Sequence, residues 1–466
     1  MSFAAKLPAD SHASKVSSSL LSDGLWTLLL RGFSAALAFF VHMLMANYLG
    51  AEQFGEYAVA LCMSQISSVV FLFGLHNVAV KFASAYLAQS QFQLLKSCLR
   101  YVFSRGAMAV LACSAILLMI AYSSSGKTST GVNQCLYLAS LMAPMLLITL
   151  ILEALLRGFS NIVTSSLTSS IRFSCFILTI VALRAMNVEF NSLAALSVHI
   201  ICAAMAIIYP AVVLKKSIHK IPSSSHENSV LKNSPSEINA WNSVAAVTGF
   251  AAVICILQAQ SGTLCIWLFH GTEQSGIYAA IEQLSASLLF GLTSFNMAVA
   301  PRFTTAYSRN DFQALQHAAK TCTAAGSLFA LLIGGIMFLF GHSILGIYGS
   351  EFTTGNIGLN LLCLGVLVNA MCGPVDILLN MTGEHRLVTR VMTFCLLIHG
   401  LLIAFLTPRF GVTGTSLAVC ISMCLWNAVL SWFVYQRFKI TTFASPVYLV
   451  RLLQKNQAPA ISLTPE

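Results

Sequence analysis

The chain is 466 residues long, 57% hydrophobic and only 9% charged, with a formal net charge of +10. Soluble domains carry roughly a quarter of their residues as charged ones, so this composition excludes a soluble globular protein. The excess cations are scattered through loops instead of gathered on one basic face, which excludes a nucleic-acid binder.

Residues 1–24 are polar and Ser-rich. They lack the short apolar core and cleavage site of a signal peptide and read as a cytoplasmic segment, the first span being its own insertion signal. From there apolar runs of roughly 20 residues recur, the length that a helix rising about 1.5 Å per residue needs to cross a bilayer core. They predict about twelve transmembrane helices, at 25–48, 56–79, 103–122, 135–156, 162–183, 192–213, 243–267, 277–300, 321–340, 357–380, 387–407 and 412–435. The alternating strands of a membrane barrel are absent, so the fold class is an all-α integral membrane protein. The spans fall into two sets, 25–214 and 243–438. Between them 215–242 is polar, contains Ser223-Ser-Ser and Asn233-Ser-Pro, and reads as a slack cytoplasmic linker. Residues 439–466 read as a cytoplasmic tail.

One stretch is written twice. YLGAEQFGEYAVA at Tyr48–Ala60 and LFHGTEQSGIYAA at Leu268–Ala280 align without a gap through VAVKFASAY at Val78–Tyr86 and VAPRFTTAY at Val299–Tyr307. Gly50/Gly271, Glu52/Glu273, Gln53/Gln274, Gly55/Gly276 and Tyr57/Tyr278 are matched pairs. The second copy begins an even number of spans after the first, so the halves share one orientation and form a parallel repeat. Gly50 and Gly271 are expected to end helices at the outer surface, which Glu52 and Glu273 help restart.

Positive charge in short loops collects on the cytoplasmic side. With the N-terminus inside, Lys81, Lys96, Arg100, Arg105, Arg157, Lys215, Arg302, Arg309, Arg386 and Arg437 all fall inside, whereas Lys127, Arg184 and Arg409 fall outside. Both termini are therefore expected in the cytoplasm. Fourteen cysteines lie almost entirely within spans and read as small packing residues. Cys420 and Cys424, one turn apart, have no histidine or acidic companion, so neither a metal nor any other cofactor is expected.

A few polar residues lie deep in the apolar spans. Arg172 falls near the middle of the fifth, where a cation costs roughly 2.5–3.5 kcal/mol on insertion scales. It needs an anionic partner: Glu153 or Asp376 within the protein, or the substrate. Arg31 lies about two turns into the first span, on a small and polar face with Ser34, Ala38, His42 and Met45 that points to a cavity or a neighbouring helix. Glu153 precedes Arg157 at the spacing of an intrahelical pair. Asp376 follows Gly373-Pro374, where a kink exposes backbone carbonyls. Glu282 opens a polar line through Ser285, Thr293 and Asn296. Asp376 and Glu282 are the carboxylates able to take a proton or sodium ion and couple transport to a gradient. Gln258 and Gln260, with His42 and His399, offer hydrogen bonds either to a sugar or to a neighbouring helix.

The repeated Gly-x-Glu-Gln-x-Gly-x-Tyr-Ala, directly after a first span ending Ala46-Asn-Tyr-Leu-Gly50, resembles the O-antigen-type oligosaccharide flippases. These are polysaccharide-biosynthesis membrane proteins of the multidrug/oligosaccharidyl-lipid/polysaccharide exporter superfamily. The likeness covers essentially the whole chain, including the positive loop after the second span and the Gly411-Val-Thr-Gly414 turn before the last. It implies two six-helix bundles facing a central cavity, and a flippase rather than an enzyme. Such a protein carries an undecaprenyl-diphosphate-linked oligosaccharide from the inner to the outer leaflet of a bacterial inner membrane by alternating access, for a surface polysaccharide such as lipopolysaccharide O-antigen or an exopolysaccharide. The implied partners are that lipid-linked oligosaccharide, membrane lipids, a polysaccharide polymerase and a chain-length regulator. In the related lipid II flippases an arginine of the first span contacts the diphosphate, and Arg31 corresponds to it. Arg31 and Arg172 are thus the expected contacts to a diphosphate or acidic sugar, the guanidinium being suited to paired phosphate oxygens.

Two other readings stay open. A cation-coupled multidrug exporter of the same superfamily would want an acidic cavity, with which Arg172 sits poorly. A membrane polysaccharide polymerase or ligase would want a large outer loop with catalytic residues, for which the short outer loops leave no room.

Overall fold

The computed structural model describes residues 10–126, 128–221, 235–443 and 448; between 10 and 31, side chains are described only at 26, 29 and 30. Regular structure among them is wholly helical: α1 (Asp10–Leu72), α2 (Leu75–Ala88), α3 (Phe92–Ser124), α4 (Thr130–Gly158), α5 (Ile162–Ala185), α6 (Ser192–His219), α7 (Pro235–Ser308), α8 (Phe312–Tyr348), a 3-10 turn (Ser350–Gly355), α9 (Asn356–Cys372), α10 (Val375–Met381) and α11 (His385–Phe438). Nine described helices are long and apolar enough to cross a membrane. Three of them, α1, α7 and α11, are each two helices joined at one glycine with positive φ: Gly50 (φ 72°), Gly271 (φ 84°) and Gly411 (φ 53°). A Cβ is disfavoured there, which is why the chain turns at glycine. The Ser275 hydroxyl donates to the Thr263 carbonyl at 3.1 Å, and the Thr407 and Thr415 hydroxyls meet at 2.9 Å, so the chain folds back on itself across Gly271 and Gly411. Among the described residues the fold is therefore all-α, with twelve helical stretches long and apolar enough to cross a membrane, as the hydropathy pattern predicts.

The described residues divide into two compact units, one within 1–45 and 60–256, the other within 46–59 and 257–466. The boundaries do not follow the repeat: the first part of α7 belongs to the first unit and the piece of α1 around Gly50 to the second. The stretch expected as a linker is helical at both ends, since α6 runs to His219 and α7 starts at Pro235; residues 222–234 lie outside the described ones.

In the first unit α4 is the central helix, in contact with α2, α3, α5 and α6. The start of α7 is fastened to α2 and α3 by aromatic packing and hydrogen bonds. The fully buried Trp241 packs on Tyr101 (5.1 Å between ring centres) and Phe82 (6.4 Å). Its indole N–H donates to the Tyr86 hydroxyl at 3.0 Å, and Tyr86 donates to Glu237 at 2.7 Å. Burial, and then the Glu237 carboxylate, push the Tyr86 hydroxyl up to about 12, so it stays protonated and donating at any physiological pH. Just beyond, the break at Phe73–Gly74 lies directly against Ala245, Thr248 and Gly249; a Cβ on Gly249 would sit 2.5 Å from the Phe73 carbonyl carbon. Replacing Trp241 with alanine is expected to cost about 3–5 kcal/mol. Tyr86→Phe, which strips a hydrogen bond from a carboxylate, should cost about 1.5–3 kcal/mol. Both are read as lowered melting temperature of the purified protein, and an unchanged Trp241→Ala melt would contradict this packing.

In the second unit the two copies of the repeated motif meet. A Cβ on Gly55 would land on the Thr272 carbonyl oxygen, and one on Gly276 on the Ala51 carbonyl oxygen. The two helices therefore touch backbone to backbone, the close approach that small residues permit inside membranes. Glu52 and Glu273 are exposed. The N–H of Ala51, freed by the turn at Gly50, is taken by the Glu351 carboxylate at 2.8 Å, a cap supplied from 300 residues away. Asn47 adds a bond from Nδ2 to the Ile347 carbonyl at 3.0 Å, and Phe54 packs edge-on against Phe352.

Candidate translocation site

Three helices of the first unit converge on a group of nitrogen-bearing side chains. α1 supplies His42, α5 supplies Arg172 and α6 supplies His199, and the three lie within electrostatic reach of one another. The arginine is positioned by its own helix, the guanidinium carbon lying 4.6 Å above the Phe173 ring centre. His199 is buried and stacks on Phe176, 4.7 Å between centres with planes 19° apart. His42 donates from Nδ1 to the Ala38 carbonyl at 2.7 Å, which fixes the ring and leaves Nε2 to accept from a hydroxyl or, once protonated, to donate to an anion. Ser34 and Ser170 hold α1 and α5 together below this group, with hydroxyls 2.5 Å apart and Ser34 donating to the Leu30 carbonyl at 2.8 Å. The small polar face expected around Ser34 and His42 is thus turned to a neighbouring helix that carries Arg172.

Of the other residues singled out from sequence in this region, Arg31 lies on α1 but its side chain is outside the described ones. Glu153 accepts a hydrogen bond from Ser169 of α5 at 3.2 Å. His199 is not among the residues singled out from sequence, although the criterion that picks out His42, an imidazole within an apolar span, applies to it equally.

The second unit holds Glu282 and Asp376. Glu282, half-buried on the second half of α7, accepts from the Thr263 hydroxyl at 3.0 Å across the Gly271 hairpin. Tyr278, one turn earlier, packs its ring against Gly262, where a Cβ would displace it. Beside this pair runs a hydroxyl–imidazole chain: Ser261 meets His399 Nε2 at 2.9 Å, and His399 Nδ1 meets Ser422 at 3.0 Å. His399 therefore satisfies neighbouring helices with both ring nitrogens. Gln258 and Gln260 are half-buried on the first half of α7. Asp376 sits in the first turn of α10, after the break that Gly373 (φ 81°) and Pro374 make, where the helix dipole favours a negative charge. Among the described residues no group of three or more histidine, cysteine or acidic side chains is placed to hold a metal.

Comparison with known proteins agrees with this architecture. The family described as polysaccharide biosynthesis protein matches residues 20–306, and the MatE family matches residues 251–406. An uncharacterised membrane protein of Methanocaldococcus jannaschii is 20% identical over 431 residues, 88% of this chain and 82% of that one. Among solved structures, an inward-facing multidrug resistance MATE family transporter of the MOP superfamily superposes with a TM-score of 0.72 at 10% identity, covering 92% of this chain and all of that one. The lipid II flippase MurJ, in an inward closed conformation, superposes at 0.66 and 12% identity over 94% of each chain. The structural likeness carries the fold, and the match over residues 20–306 carries the family: the chain belongs to the polysaccharide biosynthesis proteins, with a fold similar to that of the MATE family transporter and of MurJ.

Proposed function

We propose that the protein moves a lipid-linked oligosaccharide, carried on undecaprenyl diphosphate, from the inner to the outer leaflet of a bacterial cytoplasmic membrane, with both termini inside. The observation that supports this reading is the convergence of Arg172, His42 and His199 within the span region of the first unit. A diphosphate and several sugars cannot pass through hydrocarbon without replacement of their water. A guanidinium takes paired phosphate oxygens, imidazoles and serine hydroxyls take sugar hydroxyls, and the prenyl tail stays in lipid. Alternating access at the place where two repeats meet is the general device for such cargo, and no bond is made or broken. Arg31, Gln258 and Gln260 are further cargo contacts in this reading. A polymerase and chain-length regulator would act on the same cargo once it is outside. The test is flipping of a fluorescent polyprenyl-diphosphate oligosaccharide by the protein in proteoliposomes. Transport is expected; efflux of a cationic dye with no movement of the glycolipid would overturn the reading in favour of a drug exporter.

Glu282 and Asp376 are the groups proposed to couple transport to an ion gradient. Glu282→Gln preserves an acceptor for Thr263 while removing the charge, so it is expected to leave the protein folded and flipping under exchange conditions. Acceleration by an imposed proton or sodium gradient should fall to the level seen with no gradient. A gradient response equal to that of the native protein for both Glu282→Gln and Asp376→Asn would rule these carboxylates out.

A further inference from the structure

At the end of the first unit that bears the basic loops, a pocket of about 390 Å³ opens between the end of α1, α2, α3 and the start of α7. Its walls are of two kinds. One end carries Arg105, Tyr101 and Asn242, and the remainder is apolar, including Phe73, Met108 and Ala112. Phe73 and Met108 are 44% and 61% exposed, so the apolar part opens sideways onto the bilayer. Tyr101 donates to the Asn242 carbonyl oxygen at 2.6 Å, which turns the amide NH₂ away from that bond. Tyr101 also lies beneath the guanidinium of Arg105, 5.6 Å from ring centre to cation. An arginine and an amide thus offer donors at the polar end. Along α3, Met108 and Ala112 continue from Arg105 into the span, about 10 Å of apolar wall at the helical rise.

We propose that this pocket binds an acidic phospholipid of the leaflet at the basic face, the phosphate on Arg105 and Asn242 and one acyl chain along Met108 and Ala112. The charge favours a phosphodiester. One guanidinium balances the single charge of phosphatidylglycerol, whereas a polyprenyl diphosphate carries more than the pocket's one cation offsets. The zwitterionic phosphatidylcholine presents its own ammonium in the same space and gains less. The site has a consequence for the fold, since Asn242 follows the buried Trp241 and the pocket borders the Gly74–Gly249 contact. A lipid bridging Arg105 on α3 and Asn242 on α7 would fasten the start of α7 where Tyr86, Glu237 and Trp241 already hold it.

The experiment is native mass spectrometry of the full-length protein released from nanodiscs of equal phosphatidylglycerol and phosphatidylcholine. Retained phosphatidylglycerol is expected to exceed phosphatidylcholine by about fivefold, the weight of one basic residue at an anionic surface. Arg105→Gln should remove that preference, and Met108→Trp, which fills the apolar wall, should lower retention of both lipids. Arg309→Gln, an exposed cation of the second unit, should change neither. Equal retention of the two lipids by the native protein overturns the proposal without recourse to any variant, as does a preference that survives both Arg105→Gln and Met108→Trp. Displacement of phosphatidylglycerol by undecaprenyl phosphate at a lower mole fraction would assign the pocket to the cargo lipid and likewise overturn it.

Discussion

Gly276→Val and Gly55→Val are expected to yield no folded protein. Each glycine lies where a Cβ would coincide with a backbone carbonyl of the facing helix, Ala51 for Gly276 and Thr272 for Gly55. A flexible side chain can move aside, but a carbonyl committed to its own helix cannot, so the helices must separate. Separation would also pull Ala51 from Glu351 and Phe54 from Phe352. Overpacking in cores costs about 1–3 kcal/mol when side chains can adjust. A forced backbone shift that breaks a cap as well belongs in the exceptional range above about 4 kcal/mol, a large share of the stability of any domain. Gly271→Ala gives an internal comparison, because nothing lies within 4 Å of its Cβ and only the φ of 84° is violated. That substitution should cost about 1–3 kcal/mol and leave a purifiable protein with a lowered melting temperature. Yield of monodisperse protein and its melting curve decide the matter: a Gly276→Val protein as stable as Gly271→Ala would mean that the two motifs do not cross.

The repeat is legible in sequence because both copies retain Gly-x-Glu-Gln-x-Gly, and the spans because hydrophobic length is a local property. What the motif is for depends on contacts between residues some 220 or 300 positions apart, and no local pattern encodes those. Sequence places Glu52 in the first turn after Gly50, where its charge favours the restart of the helix, but it gives no sign that Glu351 bonds the N–H of Ala51. Trp241 shows the opposite failure. It is a lone aromatic in a polar, serine-rich stretch, so composition reads it as linker. Its partners Phe82, Tyr86 and Tyr101 belong to another helical pair and become visible only when that pair is in place. At the candidate site, Arg172 and His42 stood out because buried polarity in a span is costly and needs a reason. That argument finds the residues one by one but does not say that α1, α5 and α6 bring them together. His399 carried the same signal, and both its ring nitrogens are spent on serines.

Arg172→Ala should reduce glycolipid flipping by about 10- to 150-fold, the equivalent of the 1.5–3 kcal/mol that a hydrogen bond to a charged group contributes. Protein level is the informative control, because the two roles open to this arginine predict opposite changes. Removing half of a structural ion pair strands a buried acid and destabilises the fold by roughly 3–5 kcal/mol. Removing a cation held in readiness for an anionic cargo takes an unfavourable group out of the span and leaves stability unchanged or raised. Loss of flipping at undiminished stability therefore supports cargo binding, and loss of both supports a strut. Arg172→Lys sharpens the distinction, since it keeps the charge but not the fork that grips two phosphate oxygens. It should restore stability in the strut case while restoring little of the flipping in the cargo case. His42→Ala supplies the last term: if His42 and Arg172 hold one diphosphate between them, the double variant should lose less than the sum of the two single losses. Strict additivity would place the two side chains on separate parts of the cargo.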